Sequence, residues 1–274
     1  MARIVILTDL DGSLLDADTY AYNAADEALA RIQGIGASLI LVSSKTRSEI
    51  EPLRFRLNHQ HPFVVENGGG LFMPKGYFPF PIEQSVLRGE YQVVEIGSPY
   101  AGLRLALKEL GQTLNCRLVG FGDLSAEDIA RLTGLSVSDA LLSKQREYDE
   151  PFVMREPGVP WERLCQAAAA RNLRCTRGGR FYHLMGASDK GIASRVLLGC
   201  YRRLAEQEGQ ALVTIGIGDS LNDTPMLALV DYPILVQKPD TSYDPDVRMS
   251  GLIQAPGVGP VGWNRSVLDV LTRI

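Results

Sequence analysis

Positive charge is in short supply in this sequence of 274 residues: 28 Lys and Arg face 32 Asp and Glu, for a formal net charge of −4. Nucleic acid and anionic membrane surfaces are held by basic fields that such a chain cannot generate. The expected partner is therefore a small dissolved molecule, with no nucleic acid and no membrane involved. Long apolar runs are missing too. No uncharged stretch approaches the roughly 20 apolar residues that cross a bilayer, and the opening Met-Ala-Arg-Ile-Val-Ile-Leu-Thr lacks the cleavage pattern of a signal peptide. Cys116, Cys165, Cys175 and Cys200 form no CxxC pair or metal-ligand cluster, and a chain of this length needs no disulfide staples. They are expected to be reduced thiols in a cytoplasmic protein, monomeric or homodimeric. Internal repeats and low-complexity segments are also lacking.

What is present is alternation. Apolar runs at Arg3 to Thr8, Ser38 to Ser43, Phe63 to Val65 and Ala211 to Ile217 are separated by helix-like stretches, from about Asn23 to Ile32, from about Thr46 to Leu57 and from Ser188 to Glu208. Strands and helices in this order predict an α/β fold with a parallel, Rossmann-like sheet covered on both faces. A further strand is expected at Pro233 to Val236 and a closing helix from about Asn264 to Ile274. Residues 82–186 read differently, with short strand candidates (Tyr91 to Ile96, Cys116 to Phe121, Pro151 to Met154, Arg180 to Met185) between helical segments. Ser125-Ala-Glu-Asp128 looks like a capping box opening one of them. The expectation is a main domain made of residues 1–81 and 187–274, with an α+β module, 82–186, inserted between.

Chemistry in such folds gathers at the carboxyl ends of strands, and two acidic segments lie there. Asp9-Leu-Asp-Gly-Ser-Leu14 follows the first strand; carboxylates at i and i+2 of an extended segment share a side, and unlike surroundings can make one a nucleophile or metal ligand and the other an acid. A surface turn is the plainer reading of the same residues. Gly216-Ile-Gly-Asp-Ser-Leu-Asn-Asp223 follows a later strand, and Asp219 and Asp223 are hard oxygen ligands suited to Mg²⁺. The same loop also reads as a helix start, with Ser220, Asn222 and Asp223 as caps and Pro225 at the first position. Ser43 and Lys190 offer a hydroxyl and an ammonium of the kind that a transferring phosphoryl group needs around it; in isolation, Lys190 reads as solvated surface.

The order of these four elements resembles the haloacid dehalogenase superfamily of phosphatases. The resemblance implies that Asp9 attacks phosphorus and that Asp11 protonates the leaving oxygen and later activates water. It implies that Asp9, the Asp11 carbonyl and Asp219 hold Mg²⁺ with support from Asp223, and that Ser43 and Lys190 bind the phosphoryl group. An insertion between the Ser and Lys elements is similar to the cap of the superfamily's subclass IIB, of the C2B type. Val42-Ser-Ser-Lys-Thr-Arg-Ser-Glu-Ile50, Glu66-Asn-Gly-Gly69, Arg146-Glu-Tyr-Asp-Glu-Pro-Phe152, Arg177-Gly-Gly-Arg-Phe-Tyr-His183 and Gly259-Pro-Val-Gly-Trp-Asn264 resemble the mannosyl-3-phosphoglycerate phosphatases. That likeness implies a phosphorylated sugar-glycerate ester as substrate. Lys45, Arg47, Arg146, Arg177 and Arg180 are candidates for its carboxylate, since Arg recognises carboxylates bidentately; a surface ion pair, such as Arg146 with Glu147 or Glu150, is the alternative for each arginine. Glu66, Asn67 and Asn222 are candidates for its hydroxyls, although Glu66 and Asn67 also suit a turn before Gly68. His183, alternating with apolar neighbours, reads as a satisfied structural histidine. A phosphosugar mutase, or a binding module without turnover, would use the same scaffold.

Overall fold

The computed structural model describes residues 2–156, 158–177 and 181–274. Its chain order is β1 (Arg3–Thr8), α1 (Asp26–Gly34), β2 (Ser38–Val42), α2 (Arg47–Arg56), β3 (Phe63–Val65), β4 (Gly70–Pro74), β5 (Ser85–Arg88), β6 (Tyr91–Glu95), α3 (Tyr100–Leu114), β7 (Arg117–Gly120), α4 (Ala126–Thr133), α5 (Val137–Ser143) and β8 (Asp149–Arg155). It continues with α6 (Trp161–Ala169), β9 (Arg174–Arg177), β10 (Tyr182–Met185), α7 (Lys190–Gln207), β11 (Leu212–Gly218), α8 (Thr224–Leu227), β12 (Tyr232–Gln237), β13 (Ile253–Val258) and α9 (Gly259–Arg273).

Among the described residues one sheet has nine strands in the order β13-β12-β11-β1-β2-β3-β4-β6-β5. Its first six strands are parallel and the last three join antiparallel. Side chains alternate across a strand, so Ile6 packs on one face with α1, α2 and α9, while Val5 and Leu7 pack on the other with α7 and α8. Trp263 of α9 is fully buried and donates from Nε1 to Thr8 Oγ1 at 2.9 Å, pinning that helix beneath the end of β1.

The domain boundary expected at residue 82 is corrected by the sheet. β5 and β6 form a hairpin that pairs with β4, so they extend the main sheet. β4 itself, starting in the run of glycines, was not expected. The inserted module begins near Tyr100 and carries its own antiparallel sheet, β7-β8-β10-β9. One face of that sheet is covered by α3 and α6 through Leu103, Leu107, Leu110, Phe152, Leu164 and Leu184. The closing helix also starts earlier than expected, at Gly259, after the unforeseen β13. The capping box at Ser125 is present, with Ser125 Oγ accepting from Asp128 N at 3.1 Å and the Asp128 carboxylate accepting from Ser125 N at 3.2 Å.

Candidate active site

Strand β1 delivers Asp9 to the carboxyl edge of the sheet, where its backbone N–H donates to Ile217 O of β11 at 2.8 Å. That pairing brings the first acidic segment beside the second. Lys190, the first residue of α7, donates from Nζ to Asp9 Oδ1 at 2.5 Å and to Asp223 Oδ1 at 2.6 Å. Its helix is started by Asp189, whose carboxylate accepts from Ile192 N at 2.7 Å. The other oxygen of Asp223 accepts from the N–H groups of Asp219 and Ser220 at 3.0 and 3.1 Å, so capping and site-building fall to the same carboxylate. Gly12 has φ +80°, and a Cβ there would sit 2.9 Å from Asp219 Oδ2. Only glycine allows both the turn and the approach.

Burial sets the electrostatics. The Asp9 carboxyl is pushed well above the usual range, first by burial and then by Asp223 and Asp219, against the pull of Lys190. Asp219 is pushed up to about 7 by burial and by Asp223. Burial would weaken the hold of Lys190 on its proton, but Asp223 and Asp9 outweigh it and keep the ammonium charged. Three carboxylates therefore share one ammonium, and oxygens of Asp9, Asp219 and Asp223 lie within 4.8 Å of one another. An excess of buried negative charge on hard oxygen donors fits a divalent cation, and this donor set could hold one.

Above these carboxylates lies a cavity of about 640 Å³, within the usual range for small-molecule sites. Its wall includes Asp9, Asp11, Lys45, Arg146, Arg177, Asp219 and Asn222. Asp11 is paired with Lys45 at 3.0 Å, and the Lys45 ammonium also rests over the ring of Tyr20. Burial opposes the charge of Lys45, but Asp11 and Glu49 hold the proton on it.

The remaining expected residues have other places. Ser43 is fully buried at the end of β2 and its Oγ accepts from Lys45 N at 3.1 Å; the cavity wall is formed by its neighbours Ser44 and Lys45. Arg47 is not in the wall: it donates to Glu51 and to Glu147, at 3.0 and 3.2 Å, joining α2 to the cap. Glu66 does not face the cavity either. Its carboxylate is fully buried and accepts the backbone N–H groups of Glu147, Tyr148 and Asp149 at 2.8 to 2.9 Å, and burial, opposed by Arg146, pushes it up to about 7. Arg146 faces the cavity, but its partners are not Glu147 and Glu150. It donates to the carbonyls of Ser143 and Ser44 and to Asp149. Arg177 adds to the wall while its guanidinium lies over the rings of Trp161 and Tyr182. Arg180 lies outside the described residues. Asn67 donates to Asp149 Oδ2 at 3.0 Å and accepts from Asn222 Nδ2 at 3.3 Å. Sequence reasoning missed Lys238, which also lines the cavity; its position directly after β12, at the carboxyl edge of the sheet, was the available signal.

The model of the haloacid dehalogenase-like hydrolases matches residues 6–77. The chain is 43% identical to a glucosyl-3-phosphoglycerate/mannosyl-3-phosphoglycerate phosphatase of Methanococcoides burtonii, over 98% of this chain and 97% of that one. It is 37% identical to a mannosyl-3-phosphoglycerate phosphatase of Pyrococcus furiosus, over 86% of this chain and 91% of that one. The fold is similar to a haloalkanoate-superfamily phosphatase of Bacteroides thetaiotaomicron, with TM-score 0.69, 15% identity and coverage of 100% and 96% of the two chains. A subclass IIB sugar phosphatase gives TM-score 0.63 at 13% identity, over 98% of this chain and 99% of that one. With four motifs assembled at one sheet edge under a cap, and identity to these enzymes running the length of the chain, the protein belongs to the haloacid dehalogenase-like hydrolases, in the family of the glucosyl- and mannosyl-3-phosphoglycerate phosphatases.

Proposed function

We propose that this chain is a Mg²⁺-dependent phosphatase that hydrolyses mannosyl-3-phosphoglycerate, and its glucosyl analogue, through a phosphorylated Asp9. The observation that carries the reading is the Asp9 carboxylate held by the buried Lys190 at the floor of a capped cavity. A carboxylate oxygen of Asp9 forms the new bond to phosphorus as the bond to the glycerate oxygen breaks, and Asp11 protonates that oxygen. Asp11 is paired with Lys45 at 3.0 Å. Phosphoryl oxygens entering beside Lys45 compete for its ammonium, which frees the Asp11 carboxyl to turn to the leaving oxygen. Asp11 then takes a proton from the water that cleaves the acyl phosphate, returning Asp9 to its starting form. Asp9, Asp219 and the Asp11 carbonyl would hold Mg²⁺ with Asp223 in support, and the ion would supply charge neutralisation at the phosphoryl oxygens. Lys190 completes the phosphoryl cradle through Asp9, and Ser43, expected there, supports it from behind the wall by accepting from Lys45 N. Free thiols at Cys116, Cys165, Cys175 and Cys200 support a cytoplasmic setting.

The test is phosphate release from both glycosyl esters, hexose phosphates and free 3-phosphoglycerate, with Mg²⁺ and with chelator. Release from the glycosyl esters is expected only with Mg²⁺, and Asp9→Asn should lower it by at least about 10³-fold while the fold is kept. Release confined to hexose phosphates would overturn the substrate, and substantial turnover by Asp9→Asn would overturn the mechanism.

A further inference from the structure

The cap contributes one imidazole to the cavity. His183 lies on β10 between Tyr182 and Leu184, which both pack on the helix-covered face of the cap sheet. Alternation turns His183 to the opposite face, where it lines the cavity beside its cross-strand neighbour Pro151. The cap's part of the wall also includes Phe121, Leu135 and Phe181, and the two phenyl rings meet edge to face at 4.9 Å.

The orientation of the ring is fixed from behind. His183 Nδ1 is 2.7 Å from Asp149 Oδ2. Asp149 is fully buried; the same oxygen accepts from Asn67 Nδ2 at 3.0 Å and from Arg146 at 3.3 Å. Burial alone would drive Asp149 to the neutral form, but His183, Arg146 and Asn67 outweigh it and hold the carboxyl below its ordinary range. A charged Asp149 accepts, so Nδ1 carries the hydrogen and Nε2 is the nitrogen left to meet a bound molecule. The relay runs on into the core: Asn67 accepts from Asn222, whose carbonyl accepts from Ser220 Oγ at 2.7 Å. His183 is thus aligned with the loop that carries Asp219 and Asp223. Arg146, which shares Asp149 with it, is already engaged by two backbone carbonyls and Asp149.

We infer that His183, positioned by Asp149, is a specificity-determining residue whose Nε2 hydrogen-bonds an oxygen of the glycosylglycerate portion of the substrate, away from the phosphoryl group. The inference rests on the functional reading above and deepens it. Phenyl phosphate carries no such oxygen, so the two substrates separate this contact from the phosphoryl chemistry.

The deciding variants are His183→Asn, which reaches Asp149 in place of Nδ1 but stops short of the cavity, and His183→Gln, which extends towards the Nε2 position. With the glycosyl esters, His183→Asn should raise KM by about ten- to a hundredfold with kcat within about threefold, the scale of one hydrogen bond lost from a buried polar site. With phenyl phosphate it should change kcat/KM by less than about twofold, and His183→Gln should recover part of the loss. Thermal unfolding at the wild-type temperature shows that the fold is kept. Inhibition by D-glycerate and by methyl mannoside, compared between wild type and His183→Asn, tells whether the oxygen is a carboxylate or a hydroxyl. Equal losses on both substrates, or wild-type kinetics in His183→Asn, overturn the inference alone. A wild-type protein that cleaves phenyl phosphate but neither glycosyl ester overturns the functional reading together with it.

Discussion

His59, remote from the chemistry, shows how one side chain couples this fold to pH. It is buried, its Nδ1 accepts from Arg54 Nε at 3.1 Å, and its Nε2 donates to Leu39 O at 2.8 Å. Both nitrogens are committed in the neutral form, so a second proton would face a guanidinium. Burial, with Arg54 and His61, pushes the imidazole down to about 3. The folded value lies below the unfolded value of about 6.5, so the unfolded chain binds the proton first. Stability from this group is present above pH ~6.5 and is lost as pH falls from there towards ~3. Between pH 8 and pH 5 the loss amounts to about 2 kcal/mol. Unfolding free energies from urea titrations should fall further between pH 8 and pH 5 for wild type than for His59→Gln, by roughly that amount. Parallel declines would show that His59 does not titrate in this window.

The same scale shows what a sequence discloses. Asp9, Asp11, Asp219 and Asp223 could be read because each directly follows an apolar run that could only be a buried strand. Arg47 and Glu66 could not, because the partners that tie them to the cap lie 100 and 81 to 83 positions away in the chain. Nothing local to Glu66 announces that it will satisfy three backbone donors of another segment. His183 was read as structural from its apolar neighbours, and it does have a buried partner; what the pattern also implied, through alternation, is that it faces the side opposite them.

At the scale of elements, the hairpin of β5 and β6 was assigned to the cap because its short, mixed strands differ from the parallel core runs. Pairing partners decide that question, and β4, hidden in glycines, was invisible to periodicity. The glycines serve the joint between the domains. A Cβ on Gly69 would lie 2.3 Å from Tyr148 Cβ, and one on Gly97 2.7 Å from the same atom. Tyr148 sits between two of the residues whose N–H groups Glu66 holds. This joint ties the segment that leads into β8 to the turn that precedes β4. Glu66→Gln would turn an amide NH₂ towards at least one of these backbone donors, at a cost of about 2 to 3 kcal/mol for the buried groups left unpaired. With that tie weakened, kcat/KM should fall about equally for any substrate that needs closure. A drop confined to the glycosyl esters in Glu66→Gln would mean that Glu66 acts on the substrate instead.

Taken whole, the molecule concentrates acidity at one edge of the sheet. A net charge of −4 spread over 274 residues is mild, yet Asp9, Asp219 and Asp223 stand together and, among the described residues, a single ammonium, Lys190, is hydrogen-bonded to two of them. Their mutual repulsion weighs on the folded state, and a bound cation relieves it. A ligand that binds only the folded form adds stability of RT ln(1 + [L]/Kd), about 2.7 kcal/mol at a hundredfold excess over Kd. For a chain of this size each kcal/mol moves the unfolding midpoint by about 2 to 4 °C. Calorimetry in saturating Mg²⁺ should therefore place the core transition about 5 to 10 °C above its value in chelator. Asp219→Asn removes one donor and part of the repulsion together, so its midpoint in chelator should be at or above that of wild type, and Mg²⁺ should move it by less than about 2 °C. This comparison needs no substrate, so it tests the carboxylate cluster apart from turnover. If wild type and Asp219→Asn respond to Mg²⁺ alike, the ion is held elsewhere and Asp219 is not its ligand.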